Sequence, residues 1–284
     1  MVHNIWHRPD LDVSALEPMT IEEAAVFRSD AIVHRRLRMF LVLLELCRHP
    51  LTDAQVARVD AFAAAIGEPD DTGLELARDL VEKSRAEAAQ HFFVAWAAST
   101  TKLSEAVLLE RFEQIGAVDP ELAMMLRKMV ELPRGTLGRE YVEFYMEHKF
   151  QFPGEGVSIP AFFVAHDMTH LIAGFGATGP EEVALSAMQL AMNDSEEHWM
   201  VFLTSMASYE VGISSGKFDF DAKDGILTRE GSTELLFEGF ERGSNCSGDF
   251  STADHLSMIH LPISTIREMY SVPAPSTPFP PFID

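Results

Sequence analysis

Helical periodicity is the feature of this sequence that most restricts the fold it can adopt. Apolar residues recur at helical spacing over long stretches, whereas the short alternating runs typical of strands are scarce. The first long segment, 21–49, begins with Thr20 and Glu23 in capping-box spacing and ends before Pro50. The sequence therefore predicts an all-α protein that folds as a multi-helix bundle.

The remaining helices follow from the same periodicity and from capping residues. Gly67 is placed to end one helix, and Thr136 is placed to begin another. No internal repeat or linker divides the sequence, so we expect residues 1–284 to form one helical domain. The further predicted helices cover 52–67, 73–99, 102–116, 120–131 and 134–150; 217–228 is either a short hairpin or a loop, and 271–284 is a proline-rich, extended tail.

Composition excludes several classes of protein. With a net charge of -22, the chain has little basic surface for a phosphate backbone, so we expect no nucleic-acid partner. Cys47 and Cys246 form neither a CxxC pair nor a disulfide framework, which favours a reducing compartment. The longest apolar run, 39–46, is less than half of the roughly 20 residues that span a bilayer. We therefore expect a cytoplasmic protein without a transmembrane helix or a targeting segment.

A short basic cluster departs from the acidic trend just before this apolar run. It has two interpretations: peripheral contact with an anionic membrane, at its inner face, or ion pairs with the abundant acidic side chains. We favour the ion pairs. The cluster consists of His34, Arg35, Arg36 and Arg38.

The segment "AHDMTHLIAG" places two histidines and an aspartate on one face of a predicted helix. At about 100° per residue, His166 and His170 lie roughly 40° apart, and Asp167 lies roughly 60° from His170. Ser158 is a candidate N-cap, and the helix runs to Gly174. The flanking residues are apolar, so a buried carboxylate here needs a compensating charge. A bound cation would supply it.

The next predicted helix contributes a further carboxylate. Thr178 and Glu181 have capping-box spacing, which leaves Glu182 free to point elsewhere. Ser186, Gln189 and Asn193 continue the same face as a polar stripe, and we predict that Ser186 and Gln189 bind substrate. The alternative is that this stripe faces solvent and that Glu182 is a surface acid.

The spacing H-D-x-x-H-x11-E resembles the metal motif of the Coq-four family of coenzyme Q (ubiquinone) biosynthesis proteins. "LPRGTLGREYVEF" (132–144) is similar to a second family segment, and "LPISTIREMYSVP" (261–273) matches the C-terminal part more loosely. The resemblance spans residues 120–273. It identifies four metal ligands, through which catalysis would act: His166, Asp167, His170 and Glu182.

The resemblance implies a helical fold, a zinc-type site and a prenylated aromatic substrate that loses its ring carboxylate and gains a hydroxyl group at the same carbon. It also implies that the chain organises other quinone-biosynthesis enzymes at a membrane. Zinc is thus the metal that the resemblance implies, whereas two imidazoles and two carboxylates could also hold iron, manganese or cobalt. The alternative is a non-catalytic prenyl-lipid-binding or scaffold protein with a structural metal. A homodimer is a further candidate assembly.

Three other hypotheses concern residues outside the four predicted metal ligands. His198 is a candidate acid or base, and its alternative is a helix-surface histidine. An HD-type phosphohydrolase would recruit His148 and Asp194, but residues 150–200 contain no Lys or Arg to bind phosphate. Methionine and phenylalanine side chains would either wall an isoprenoid tail or belong to the ordinary core. These are Met188, Met192, Met200, Met206, Phe162 and Phe163.

Overall fold

The computed structural model describes residues 10–26, 31–47, 51–67, 72–156, 162–214 and 224–275. Within these ranges the chain forms fourteen α-helices and only isolated β-bridges, so the all-α prediction is confirmed. The helices are α1 (Ile21–Ala24), α2 (Ala31–Leu46), α3 (Asp53–Ile66), α4 (Thr72–Glu82), α5 (Arg85–Thr100), α6 (Ala106–Ile115), α7 (Pro120–Lys128), α8 (Leu137–His148), α9 (Phe162–Ala173), α10 (Gly179–Met192), α11 (Glu196–Tyr209), α12 (Ser232–Asn245), α13 (His255–Met258) and α14 (Ile263–Met269).

Two segments predicted as single helices are each divided. The segment 21–49 contains α1, which ends at Ala24, and then α2; the exposed Val26 offers no apolar contact to extend α1. The segment 73–99 is broken at Ser84, whose hydroxyl accepts from the backbone N–H of Glu87 and so caps α5. This Ser-x-x-Glu spacing is a capping box that the periodicity alone conceals.

The predicted hairpin and tail fall partly outside the described residues. Of 217–228, residues 217–223 lie outside; Asp224 forms an isolated bridge with Val211, and Ile226–Thr228 is a 3-10 turn. The described part of the segment is therefore a loop, which was the alternative to the hairpin. Ser158 and residues 276–284 of the tail also lie outside the described ranges.

Helix α10 is the element around which the core is organised. Val183, Ala187 and Leu190 belong to one cluster of buried side chains, together with residues of α2 to α5 and α11. Leu185 and Met188 belong to a second cluster with residues of α7, α8 and α9. Both faces of α10 are thus covered, and it positions Glu182 between the two clusters. That the whole chain forms one domain stays a prediction.

Helix α12 packs against α10 at backbone contact distance because two glycines face it. A Cβ atom on Gly239 would lie 2.2 Å from the carbonyl oxygen of Ala184, and one on Gly243 would lie 2.3 Å from that of Met188. Real Cβ atoms do not approach backbone so closely, so neither position accepts a side chain without separating the helices.

Two arginines from distant helices donate hydrogen bonds to the carbonyl groups at the C-terminal end of α9. The Nε atom of Arg267 donates to the carbonyl of Ile172 at 2.9 Å, and its Nη2 donates to that of Leu171 at 3.0 Å. The buried Arg242 donates to the carbonyl of Ala173. Carbonyls that end a helix have no partner within it, and positive charge suits this end of the helix dipole. These contacts fix the helix that carries the histidines.

The basic cluster forms ion pairs, as favoured from the sequence. Arg35 and Arg36 lie 3.0 and 2.7 Å from the carboxylate oxygens of Asp194, and His34 is buried. These contacts join α2 to the turn between α10 and α11. Among the described helices, none combines the length and hydropathy that crossing a bilayer requires.

Candidate metal centre

The two histidines and Glu182 meet where α9 packs beside the start of α10. The Nε2 atoms of His166 and His170 lie 3.1 Å apart. Glu182 places one oxygen 3.4 Å from Nε2 of His166 and the other 3.3 Å from Nε2 of His170. The interpretation of Glu182 as a surface acid is therefore wrong.

The capping box at the start of α10 explains why Glu182 reaches the histidines. Glu181 accepts hydrogen bonds from the backbone N–H groups of Gly176 and Thr178, at 2.9 and 3.2 Å. Its carboxylate therefore fixes the turn that joins α9 to α10. Glu182, about 100° further round the helix, is directed at the histidines.

Asp167 lies beside the two histidines, and it is grouped with them and with Glu182 here as the histidine–carboxylate site (His166, Asp167, His170 and Glu182). One potential ligand atom from each of His166, Asp167 and His170 lies within 4.8 Å of the others. The hydroxyl of Tyr145, on α8, donates a hydrogen bond to Oδ2 of Asp167. A neighbouring helix thus holds this carboxylate in place, as partners of metal ligands commonly do.

The spacing of the donor atoms fits a divalent cation. Ligand atoms about 2.1 Å from a tetrahedral zinc ion lie about 3.4 Å from one another. The three distances among His166, His170 and Glu182 are close to this value. Two imidazoles and two carboxylates also leave no net charge around a divalent ion. The residues present therefore fit the metal that the sequence predicts; its binding stays a prediction.

The charges of the site depend on one another. Burial acts to lower the pKa of His170, but the adjacent Glu182 carboxylate raises it above its ordinary value. Burial acts to raise the pKa of Glu182, and the two histidines hold it well below its ordinary range. Burial raises the pKa of Asp167, and it raises that of Tyr145 well above its ordinary value. Tyr145 therefore remains a protonated hydrogen-bond donor at neutral pH.

A narrow pocket of about 40 Å³ opens beside the site. His166 and Glu182 line it, and their side chains are 13% and 16% exposed, whereas that of His170 is 1% exposed. The site is consequently closed on the His170 side and open on the pocket side. The other lining residues come from α5, α9 and α11: Trp96, Phe163, Val201, Thr204, Ser205, Ser208 and Tyr209.

A wider groove of about 600 Å³ lies elsewhere, along α7 and the turn at 152–156. Its lining includes the ion pair of Arg127 and Glu155. Among the described residues, only the histidine–carboxylate site brings together three or more potential metal ligands. We therefore place the candidate chemistry at the smaller pocket, although a larger cavity is more often the binding site.

The two residues predicted to bind substrate do not line this pocket. The hydroxyl of Ser186 donates to the carbonyl of Val183 at 2.9 Å, and the side chain is buried. Gln189 is also buried, so neither residue faces solvent, whereas Asn193 at the end of the stripe is exposed. The face of α10 predicted from the sequence is open at Glu182, which lines the pocket. Ser186 and Gln189, further along the same face, are buried by the packing around α10.

His198 is buried within a hydrogen-bonded cluster, so its interpretation as a surface histidine is wrong. Its Nδ1 lies 2.7 Å from the hydroxyl of Ser195, and its Nε2 lies 3.0 Å from that of Ser251. Nε2 also lies 3.2 Å from Oδ2 of Asp249. Burial acts to raise the pKa of Asp249, but the adjacent histidine holds it well below its ordinary value. His198 does not line the pocket. Its contacts join the start of α11 to the turn at 249–252.

The pair required by an HD-type phosphohydrolase is not assembled. Asp194 accepts from the indole N–H of Trp199 at 2.6 Å and pairs with two arginines of α2. The ring of His148 lies against Phe144 and Phe150, with centroids 4.6 and 5.2 Å away. Both residues have structural contacts of their own.

The methionines considered as walls for an isoprenoid tail belong mainly to the core. Met188 and Met206 are buried in the two clusters, and Met192 and Met200 are partly buried against them. Phe163 both packs against the first cluster and lines the pocket. The side chain of Phe162 lies outside the described residues.

Comparison with known proteins yields structural similarity at a distant level. No family model matches the sequence, and no curated protein matches it. The fold is similar to the crystal structure of a protein of Nostoc punctiforme PCC 73102 that is provisionally assigned to ubiquinone biosynthesis. The two chains are 18% identical, with a TM-score of 0.39 over 84% of this chain and 97% of the other. A similarity at this level does not define the function of this chain.

Tyr145→Phe is expected to lower the affinity for a divalent metal ion by about tenfold, because it removes the hydrogen bond that orients Asp167. Titration of metal-stripped protein with Zn²⁺ and a competing chelator measures this affinity. Tyr270→Phe is the control, since the Tyr270 ring contacts Phe250 rather than the site. An unchanged affinity in Tyr145→Phe would mean that Asp167 needs no such support.

Proposed function

We propose that this chain binds one divalent metal ion, zinc in the first instance, at the histidine–carboxylate site. The observation that supports this most directly is the placement of Glu182. Its two oxygens approach Nε2 of both histidines, at distances that suit a shared ion. Iron, manganese and cobalt accept the same donor set. The ligands are His166, Asp167, His170 and Glu182.

We propose further that the site acts on a prenylated aromatic head group and removes its ring carboxylate. When bound, a divalent cation supplies positive charge that holds a carboxylate and stabilises electron density as carbon dioxide leaves. His166 and Glu182 lie at the pocket, where they would face this group. Zinc is redox-inert, so gain of a hydroxyl group at the same carbon would need oxygen and a different source of electrons.

The second candidate is a protein that binds a prenyl lipid, or that holds partner enzymes together, with a structural metal. The size of the pocket favours the scaffold form of this candidate, since about 40 Å³ is far below the 300 Å³ or more that small-molecule sites commonly occupy. The pocket as it stands accepts only the polar end of a ligand. Contacts with other quinone-biosynthesis enzymes, with the membrane surface and with a second copy stay predictions.

Two measurements on the purified protein test the proposal. Elemental analysis is expected to find about one equivalent of a divalent metal. A prenylated hydroxybenzoate labelled at its carboxylate is expected to release labelled carbon dioxide only with the metal-loaded protein. Binding of this lipid without turnover would favour the second candidate, and absence of metal would contradict both.

A further inference from the structure

Ser208, on α11, has a buried hydroxyl that the fold does not use. The residue is 2% exposed, and among the described residues its Oγ has no hydrogen-bond partner. One turn earlier, the hydroxyl of Thr204 donates to the carbonyl of Met200 at 2.7 Å, which is the usual arrangement in a helix. A buried polar atom left without a partner is costly, so an unused hydroxyl often indicates a ligand or water.

This hydroxyl belongs to the pocket beside the candidate metal centre. Ser208 lines it together with His166 and Glu182, and Thr204 and Ser205 contribute from the same helix. A buried water needs about 10–15 Å³, so a pocket of about 40 Å³ holds roughly three waters or one group as large as a carboxylate. The space matches the end of a ligand rather than a whole ring.

The charges around the pocket restrict the kind of group. Its lining contains neither Lys nor Arg. With a divalent ion in place, Asp167 and Glu182 neutralise it, so a monoanion is easier to add than a phosphate dianion. A hydroxyl donor that lines the same pocket could then bind an oxygen atom of that monoanion.

We propose that Ser208 is a ligand-binding residue whose hydroxyl donates a hydrogen bond to a carboxylate bound at the histidine–carboxylate site. The proposal rests on the proposed metal site and adds the residue that recognises the ligand. Neither the sequence motif nor the predicted stripe of Ser186 and Gln189 includes this position.

Titration of the Co²⁺-loaded protein with acetate tests the proposal, because Co²⁺ absorbance changes when a ligand joins the ion. Ser208→Ala is expected to keep its Co²⁺ and to bind acetate about five- to tenfold more weakly than the parent. Metal-free Ser208→Ala should melt no lower than the parent, since the removed hydroxyl has no partner. Ser232→Ala is the matched control: Ser232 is equally buried and also lacks a partner among the described residues, but it does not line the pocket.

The outcomes separate this inference from the proposed function. A parent that binds no Co²⁺ would overturn the metal site and this inference together. Equal acetate dissociation constants in the parent and in a Co²⁺-loaded Ser208→Ala would overturn the inference alone. A parent that prefers inorganic phosphate to acetate, or a Ser232→Ala variant weakened to the same extent, would also contradict it.

Discussion

Glu182→Gln is expected to reduce the bound metal from about one equivalent to less than about a tenth of an equivalent after dialysis, while the protein stays folded. The amide has nearly the shape of the carboxylate and can still form hydrogen bonds, but it lacks the charge that a divalent ion requires. Glu182 is also the candidate ligand that contacts both histidines, at 3.3 and 3.4 Å, so its loss should affect the whole site. Elemental analysis and circular dichroism measure the two results.

The neighbouring residue provides the control for this experiment. Glu181→Gln weakens the capping box and is expected to lower the free energy of unfolding by about 1 kcal/mol, with the metal retained. Glu182→Gln should therefore change the metal content of a folded protein, whereas Glu181→Gln should change the free energy of unfolding and keep the metal. If Glu182→Gln kept a full equivalent of metal, Glu182 would not be a ligand, and the resemblance to the coenzyme Q proteins would lose its main support.

Gly239→Ala is expected to lower the free energy of unfolding by about 3 kcal/mol. The added methyl group would lie 2.2 Å from the carbonyl oxygen of Ala184, and backbone cannot rotate away as a side chain can. Helices α10 and α12 would have to separate, which opens contacts along both. For a chain of this length the melting temperature should fall by about 5 °C, measured by thermal unfolding of the metal-free protein.

Gly248→Ala is the matched control for this substitution. A Cβ at Gly248 meets nothing closer than a side-chain carbon of Tyr270 at 3.6 Å, which is ordinary contact. Its effect should be within about 0.5 kcal/mol. A Gly239→Ala protein as stable as Gly248→Ala would show that α12 can move away from α10 at little cost.

The sequence predicts the local parts of the site because they depend on helix geometry. His166 and His170 are one turn apart in any α-helix, and the capping box of Thr178 and Glu181 sets the direction of Glu182. Most helices follow for the same reason. The prediction of one helix over 73–99 overlooks the cap at Ser84, although the sequence contains its Ser-x-x-Glu spacing.

Contacts between distant helices could not be predicted in the same way. Nothing in the order of residues indicates that the Tyr145 hydroxyl meets Asp167, or that Ser208 faces the same pocket as His166. The stripe of Ser186 and Gln189 had the right periodicity, but only the packing of neighbouring helices decides which polar face stays open. The burial of His198 could not be predicted for the same reason, because its partner Asp249 comes from a turn far along the chain.

The arginines that bind the C-terminal carbonyl groups of α9 make the motif dependent on residues outside it. All four candidate ligands lie within one short stretch, yet Arg242 and Arg267, which secure its first helix, come from much later in the chain. Tyr145, which steadies Asp167, comes from before it. A synthetic peptide of the motif, or its graft onto another scaffold, would carry the donor atoms without the framework that aims them.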